Sequence, residues 1–301
     1  MPNAKLTNYL HLHFLVFIAG FTAILGQLIT IKAVYLVGFR MLMATILVLV
    51  FILIAKRRIR IASREILKLS IAGIIIALHW ITFFGAIDAS NVSITLSMFS
   101  VGAFFASIIE PIVYKRPVIW YELFFGVVVI FGVFTITQSE WNYLEGIVLG
   151  ISSAFFSALF AVLNGNFLKK HSATTISFYE FLSGVLFITV FIGLFDGGFS
   201  KEFFKISLAD FWYIFILASV CTAYAFIASV HVMKHINPYT VVLTYNLEPV
   251  YGIILAILLF PEKEKMSPAF YYGATIIIAT VLLNGVLKNI GKIKRSRSSN
   301  S

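Results

Sequence analysis

Apolar residues run along this chain in ten long blocks joined by short polar connections. The blocks cover 10–31, 34–55, 66–87, 92–114, 118–137, 144–168, 174–195, 211–233, 238–260 and 268–287. Crossing about 30 Å of hydrocarbon takes roughly 20 apolar residues in helical form. Barrel strands need about half that length. Backbone groups in lipid must bond within their own segment, so each block predicts a membrane-spanning helix. The first block is too long for the apolar core of a signal peptide. It has only Lys5 on its flank and no A-x-A-like site closing it, so it reads as the first span.

Composition agrees with that pattern. Of 301 residues, 60% are apolar and 12% charged, with a mean hydropathy of +0.97. Soluble domains are about half apolar and one-quarter charged, and a soluble fold with this much Phe, Ile and Leu would expose large apolar patches. The longest polar interval, 196–210, leaves no room for a second folded domain. No G-x-x-x-x-G-K-[ST] phosphate loop occurs, so the chain carries no nucleotide-driven engine. The single cysteine, Cys221, rules out an intrachain disulfide and a Cys-rich metal site, and reads as a small packing residue. No cofactor is expected.

Charge sets the orientation. With a cytoplasmic amino terminus, the inner connections and tails hold 17 Lys and Arg residues, among them Arg58, Arg116 and Lys234, and the outer ones hold 5. Positive residues stay inside, which predicts that both termini are cytoplasmic. The net charge of +10 is then a topology signal suited to anionic head groups rather than a nucleic-acid surface.

The blocks also repeat. Five precede the polar stretch 138–143 and five follow it, giving units at 10–137 and 144–287. The fourth block of each unit opens alike, with Asn91-Val-Ser-Ile-Thr-Leu-Ser and Asn237-Pro-Tyr-Thr-Val-Val-Leu-Thr. The fifth blocks carry matched glycines, Gly126 and Gly273, each after two aromatics. A unit of five spans ends on the side opposite its start, so the second copy enters inverted. Inverted repeats supply the two faces that alternating access requires in secondary transporters. The expected fold is an all-α integral membrane protein of ten helices in two inverted five-helix repeats.

In this layout the chain resembles the EamA-type branch of the drug/metabolite transporter superfamily over nearly its whole length. The resemblance rests on Gly20-Phe-Thr-Ala-Ile-Leu-Gly26, Phe39-Arg40-Met41, His79-Trp80, Asn246-Leu-Glu-Pro-Val-Tyr-Gly-Ile-Ile-Leu-Ala256 and Pro261-Glu262, where the family typically has Gly-Glu. The first unit departs from the pattern: Ala103 stands where the second has Pro249, and its proline, Pro111, comes later. Whether the two halves bend alike stays open. The resemblance implies a carrier, often an exporter, of small organic solutes such as amino acids or related metabolites. It implies residence in a bacterial inner membrane.

Ionisable groups inside spans are the informative residues, since a charge at a helix centre costs about 2.5–3.5 kcal/mol on insertion scales. Arg40, Glu110, Glu180 and Glu248 are such groups, with His79 as a further titratable one. Glu248 falls near the midplane and precedes Pro249, which removes a backbone donor. With Tyr245 and Asn246 it is a candidate for lining a central cavity, and a neutral, hydrogen-bonded Glu is the structural alternative. Arg40 snorkels to the outer surface, offsets a carboxylate of the protein or contacts a substrate carboxylate. Glu180 is its repeat counterpart and therefore not its ion-pair partner. Glu110, near an inner end, reads as structural. His79 relays a proton, holds a ligand or packs. Trp80, Gln27 and Asn164 complete the candidate set, and His11 and His13 read as interfacial. The expected partners are a small-molecule solute and the bilayer, with the proton as candidate coupling ion and a monomer or homodimer as assembly. A channel or a membrane-embedded enzyme is the rival class. No H-E-x-x-H or G-x-S-x-G motif supports the enzyme.

Overall fold

The computed structural model describes residues 2–57, 59–115, 117–233, 235–236 and 244–298. Arg58, Arg116, Lys234 and the stretch 237–243, which holds the start of the ninth block and most of its repeat signature, lie outside the described residues. Among the described residues all regular structure is helical. Five crossings build the first half: α1 (Pro2–Leu28), α2 (Ala33–Ile54), α3 (Ser63–Ala89), then α4 (Val92–Phe99) with α5 (Gly102–Tyr114) as one interrupted crossing, and α6 (Trp120–Ser139). The second half comprises α7 (Leu144–Phe167), α8 (Ala173–Phe195), α9 (Leu208–Ala218) with α10 (Ala225–Met233), α11 (Glu248–Leu259) and α12 (Pro268–Ser298). A π-helical segment, Ser219–Tyr224, joins α9 to α10. Among the described residues nine helices have the length and apolarity to cross a membrane, and α11 is the shorter apolar helix of the remaining crossing.

Local chemistry sets many of the boundaries. Asn91, Ser172 and Ser207 cap α4, α8 and α9, each side chain accepting a backbone N–H three residues on. Lys115, with φ of 52°, closes α5 in a left-handed turn. Helix α1 begins well before the apolar block at residue 10, since Pro2 fits a first turn and nothing in 3–9 breaks a helix. The outward faces carry apolar stripes at helical spacing, such as Leu42, Ile46, Val50 and Leu53 on α2. Lipid is the solvent for those stripes.

The halves bend at the same place. Turn residues Ser100–Val101 interrupt the fourth crossing, and Asn246–Leu247 separates helical Thr244 and Tyr245 from α11. Aligning Asn91 with Asn237 makes these breaks equivalent. Their hydrogen bonds match as well. Val101 N–H donates to Met98 O and Leu247 N–H to Thr244 O, both at 3.0 Å with 3₁₀ spacing. The following turn resumes α spacing from Phe105 N to Val101 O and from Tyr251 N to Leu247 O. Pro249 lacks the donor that would continue the helix. In the first half, which has Ala103 there, Gly102 follows the break, and the Ser100 hydroxyl donates back to Leu96 O at 3.0 Å.

The halves interdigitate instead of forming separate bodies. Helix α3 packs on α7 and α8, α2 on α8 and α9, α1 on α11 and α10, α7 on α4 and α5, α4 on α11, and α6 on α12. Exchanging every crossing with the one five later returns the same set of pairings. Two of these crossings need glycine. A Cβ on Gly20 would stand 2.9 Å from Gly252 N and 3.0 Å from Glu248 O, and one on Gly273 would stand 2.9 Å from Gly132 O. Gly126, the sequence partner of Gly273, instead lies against the Phe104 ring.

Replacing Gly20 with Ala therefore drives a methyl into backbone that cannot yield. A loss of about 1–3 kcal/mol is expected, read as a lower melting temperature in detergent. Gly193→Ala, with nothing within 4 Å of the added atom, is the control and leaves the melting temperature unchanged or slightly raised.

Candidate functional site

By the order of the crossings, the start of α1 and the end of α12 lie on one side of the bundle, called here the terminal side, and the connections 29–32, 90–91, 140–143, 196–207 and 260–267 lie on the far side. Between them, α2, α3, the π-helical segment and α11 bring a polar cluster into the interior. Arg40 on α2 is 3% exposed, so it is buried in the bundle and does not reach out to the surface. Its Nε donates to Thr222 Oγ1 at 2.9 Å, and its guanidinium lies 3.8 Å from the centroid of the Trp80 ring. The Thr222 hydroxyl donates its proton to Leu217 O, five residues back, at 2.8 Å. The widened π turn thus aims a lone pair at Arg40, and such turns recur at functional sites. Glu248, partly buried at the first turn of α11, interacts electrostatically with Arg40 and with Tyr245. Tyr245 shares a 2.7 Å hydrogen bond with Ser229, and half-buried Asn246 forms the adjacent turn.

His79 sits one residue from Trp80, within electrostatic range of Arg40. Its Nδ1 lies 2.9 Å from Ser153 Oγ and 3.1 Å from Ser153 O, while the Ser153 hydroxyl donates to His79 O at 3.2 Å. The hydroxyl proton is thereby used, so Nδ1–H is the donor to Ser153, in the tautomer this network favours. The rings of Phe99, Phe160 and Phe83 surround the imidazole.

Glu180 and Asn164 form a separate pair. Glu180 has no exposed surface and accepts one hydrogen bond from Asn164 Nδ2 at 3.3 Å. A Cβ on Gly73 of α3 would collide with the Glu180 carbonyl, so α3 and α8 meet closely at that level. Gln27 lies elsewhere again, half-buried beside a cavity of about 420 Å³ on the far side. Asp88, Tyr143, Glu262, Lys263 and Lys265 line the same cavity. Glu110 is half-buried near the end of α5. His11 and His13 bond the hydroxyls of Tyr224 and Tyr251 at 2.9 and 3.2 Å. Among the described residues no three His, Cys, Asp or Glu side chains gather as a metal site.

Three carboxylates tie the repeats together on the far side, each accepting backbone N–H groups from the opposite half. Glu264, 1% exposed, takes Val92 N at 3.1 Å and Ser93 N at 2.9 Å, where the dipole of α4 favours an anion. Asp210 takes Thr30 N at 2.8 Å and Thr30 Oγ1 at 2.9 Å, and the Ser207 hydroxyl adds a third bond at 2.7 Å. Glu140 takes Ser267 N at 3.0 Å. Nearby, Asp196 stands 3.7 Å from Lys32 and raises the pKa of that exposed ammonium. Other contacts cross between the halves on the terminal side. His171 lies 3.4 Å from Glu65, and Tyr179 and Tyr114 donate to the carbonyls of Ile59 and Val162. Glu65 and Asp210 are each the third residue of their helices, so the two ties occupy equivalent repeat positions.

The structure thus groups Arg40, Trp80, His79, Tyr245, Asn246 and Glu248, and sets Glu180 with Asn164 and Gln27 apart. Thr222, Ser153, Asp210 and Glu264 were not singled out by the sequence reading, and neither was Glu122, which is 1% exposed in α6. The Ser207-Leu-Ala-Asp210 spacing was a usable signal for Asp210 as a helix-start residue. Nothing local marks Glu264, because the helix it caps lies far along the chain.

Asp210→Ala should therefore cost about 2–3 kcal/mol, since it strands a backbone N–H and two hydroxyls, whereas Glu65→Ala should change the melting temperature little. Equal losses at the two positions would contradict the difference between these two ties.

The profile of the EamA-like transporter family matches the chain twice, over residues 8–138 and 144–286. No curated protein matches it. A solved chain described only as a crystal structure of a protein superimposes with a TM-score of 0.64 at 11% identity, covering 94% of this chain and 98% of its own. At that identity the likeness speaks for the fold alone. The two profile matches take in nearly all of the sequence, and the ten-crossing helical bundle agrees with them. The chain belongs to the EamA-like transporter family, multi-pass membrane proteins that carry small-molecule solutes and are built from two repeats of five helices.

Proposed function

We propose that this chain moves small organic metabolites, such as amino acids or related compounds, out of a bacterial cell by alternating access. The units 10–137 and 144–287 are the two moving elements, and the Arg40–Glu248 cluster lines the path between them. The observation that carries this reading is the pair of equivalent breaks in the fourth and ninth crossings, with Glu248 placed directly after the second. Transporters put their sites at interrupted helices where inverted repeats meet, and intramembrane charges mark solute or ion pathways. In this reading the terminal side is cytoplasmic, the proton is the candidate coupling ion, the unit is a monomer or homodimer, and neither nucleic acid nor a chemical reaction is involved. The three carboxylate ties correspond to a closed outer gate, and the ties at Glu65, Tyr179 and Tyr114 correspond to the gate on the cytoplasmic side.

Purified protein in sealed vesicles should show saturable counterflow of an amino-acid-type solute. Large unitary currents would indicate a channel instead, and chemically altered solute would indicate an enzyme. Glu248→Gln keeps shape and removes charge, so it should cut flux by about tenfold or more while the protein stays folded and inserted. Flux at the wild-type rate across pH would remove Glu248 from the path. In a Cys221→Ser background, a membrane-impermeant maleimide on intact cells should label Asn142→Cys and spare Ser296→Cys; the reverse pattern would overturn the orientation.

A further inference from the structure

A buried guanidinium is stable only when its donors find acceptors and its charge finds a counter-charge. Arg40 meets neither condition in full. Thr222 satisfies Nε, but Nη1 is buried without a hydrogen-bond partner among the described residues. No carboxylate among them forms an ion pair with Arg40. Glu248 acts on it only across a wider gap.

The surroundings define what the free edge would accept. Trp80 covers the guanidinium at 3.8 Å from its ring centroid, and the Phe84 ring lies 5.6 Å away. Stacking of this kind favours the cation and restricts the guanidinium plane. The Thr222 hydroxyl, fixed by its bond to Leu217 O, occupies the Nε corner. What remains is the pair of terminal nitrogens, and two parallel N–H groups in one plane match the two oxygens of a carboxylate. The guanidinium carries one positive charge, so a dianion such as a phosphate ester would leave a net negative charge in this apolar region. A single carboxylate fits.

We infer that the terminal nitrogens of Arg40 bind the carboxylate of the transported solute, making Arg40 the residue that selects organic acids and amino acids over their neutral amides and over plain amines. This rests on the transporter reading of the same cluster and adds the group of the solute that is read and the residue that reads it. Lysine would not replace Arg40 at this position, because a point charge has neither the planar fork nor the flat face that Trp80 covers.

The test uses purified full-length protein and two matched series. One is leucine, 4-methylpentanoate, leucinamide and 3-methylbutylamine; the other is phenylalanine, 3-phenylpropanoate, phenylalaninamide and 2-phenylethylamine. Binding is read by thermal shift and calorimetry. In the wild type, the carboxylates of at least one series should bind about tenfold or more tightly than the amide and amine. Arg40→Gln and Arg40→Lys should both abolish that preference. Should either variant fail to fold, the wild-type acid-against-amide comparison decides by itself. Amides bound as tightly as acids, an acid preference that survives in Arg40→Gln, or no binding by any acid would each overturn the inference. Saturable vesicle flux measured alongside separates the two levels: flux of neutral or cationic solutes under those outcomes leaves the transporter reading standing, and absence of all flux removes it as well.

Discussion

Hydrocarbon offers no hydrogen-bond partner, and the architecture of this protein follows from that constraint. Every backbone N–H and C=O in a crossing must be satisfied by protein, which makes each apolar block a helix. Departures from regular helix carry their own compensation. At Ser100–Val101 and Asn246–Leu247 the chain tightens to 3₁₀ spacing and keeps its bonds. At the π turn, Thr222 donates to Leu217 O and receives Arg40. Where α4 begins, its first N–H groups are met by Asn91 and by Glu264 from the other half.

The repeat is symmetric in backbone and asymmetric in chemistry. Equivalent positions break in both halves, but a proline does so in one and a Gly-Ala sequence with a back-bonding serine in the other. Equivalent positions on α2 and α8 hold buried ionisable groups, yet one is Arg40 and the other Glu180. The glycine contacts at Gly20 with Gly252 and at Gly132 with Gly273 let crossings approach at backbone distance, the usual way helices associate without a hydrophobic drive in lipid. In the alternating-access reading proposed above, shared backbone geometry would give the two open forms a common mechanical basis. Unequal side chains let the two membrane faces meet solute and solvent on different terms.

The face-to-face difference in bonding has the same origin. On the far side, carboxylates accept backbone N–H groups across the repeat boundary, and charge-assisted bonds of this kind are the stronger sort. On the terminal side, contacts between the halves among the described residues include two tyrosine hydroxyl bonds and one long histidine contact. In the alternating-access reading proposed above, a bundle that changes its open face breaks one set while making the other.

Much of the fold was legible because membrane helices are selected by a local property. Lipid tests each stretch of about 20 residues separately, so hydropathy alone marked the crossings, and the odd span count implied inversion. Intramembrane charge marked Arg40, Glu180 and Glu248 for the same reason. The first half's bend was not legible, since Ser100 and Gly102 break a helix only when their neighbours allow it. Nor were the partners of the polar residues. Asp210 meets Thr30 and Glu264 meets α4 across well over half the chain, and His79 finds Ser153 only because α3 lies along α7. The sequence by itself determined how many helices cross, in which order, and which of them carry charge, because transfer into lipid is settled segment by segment. Only the tertiary structure decided which charges meet, because a buried hydrogen bond depends on helices coming together to within about 3 Å, and that distance is encoded in no single segment.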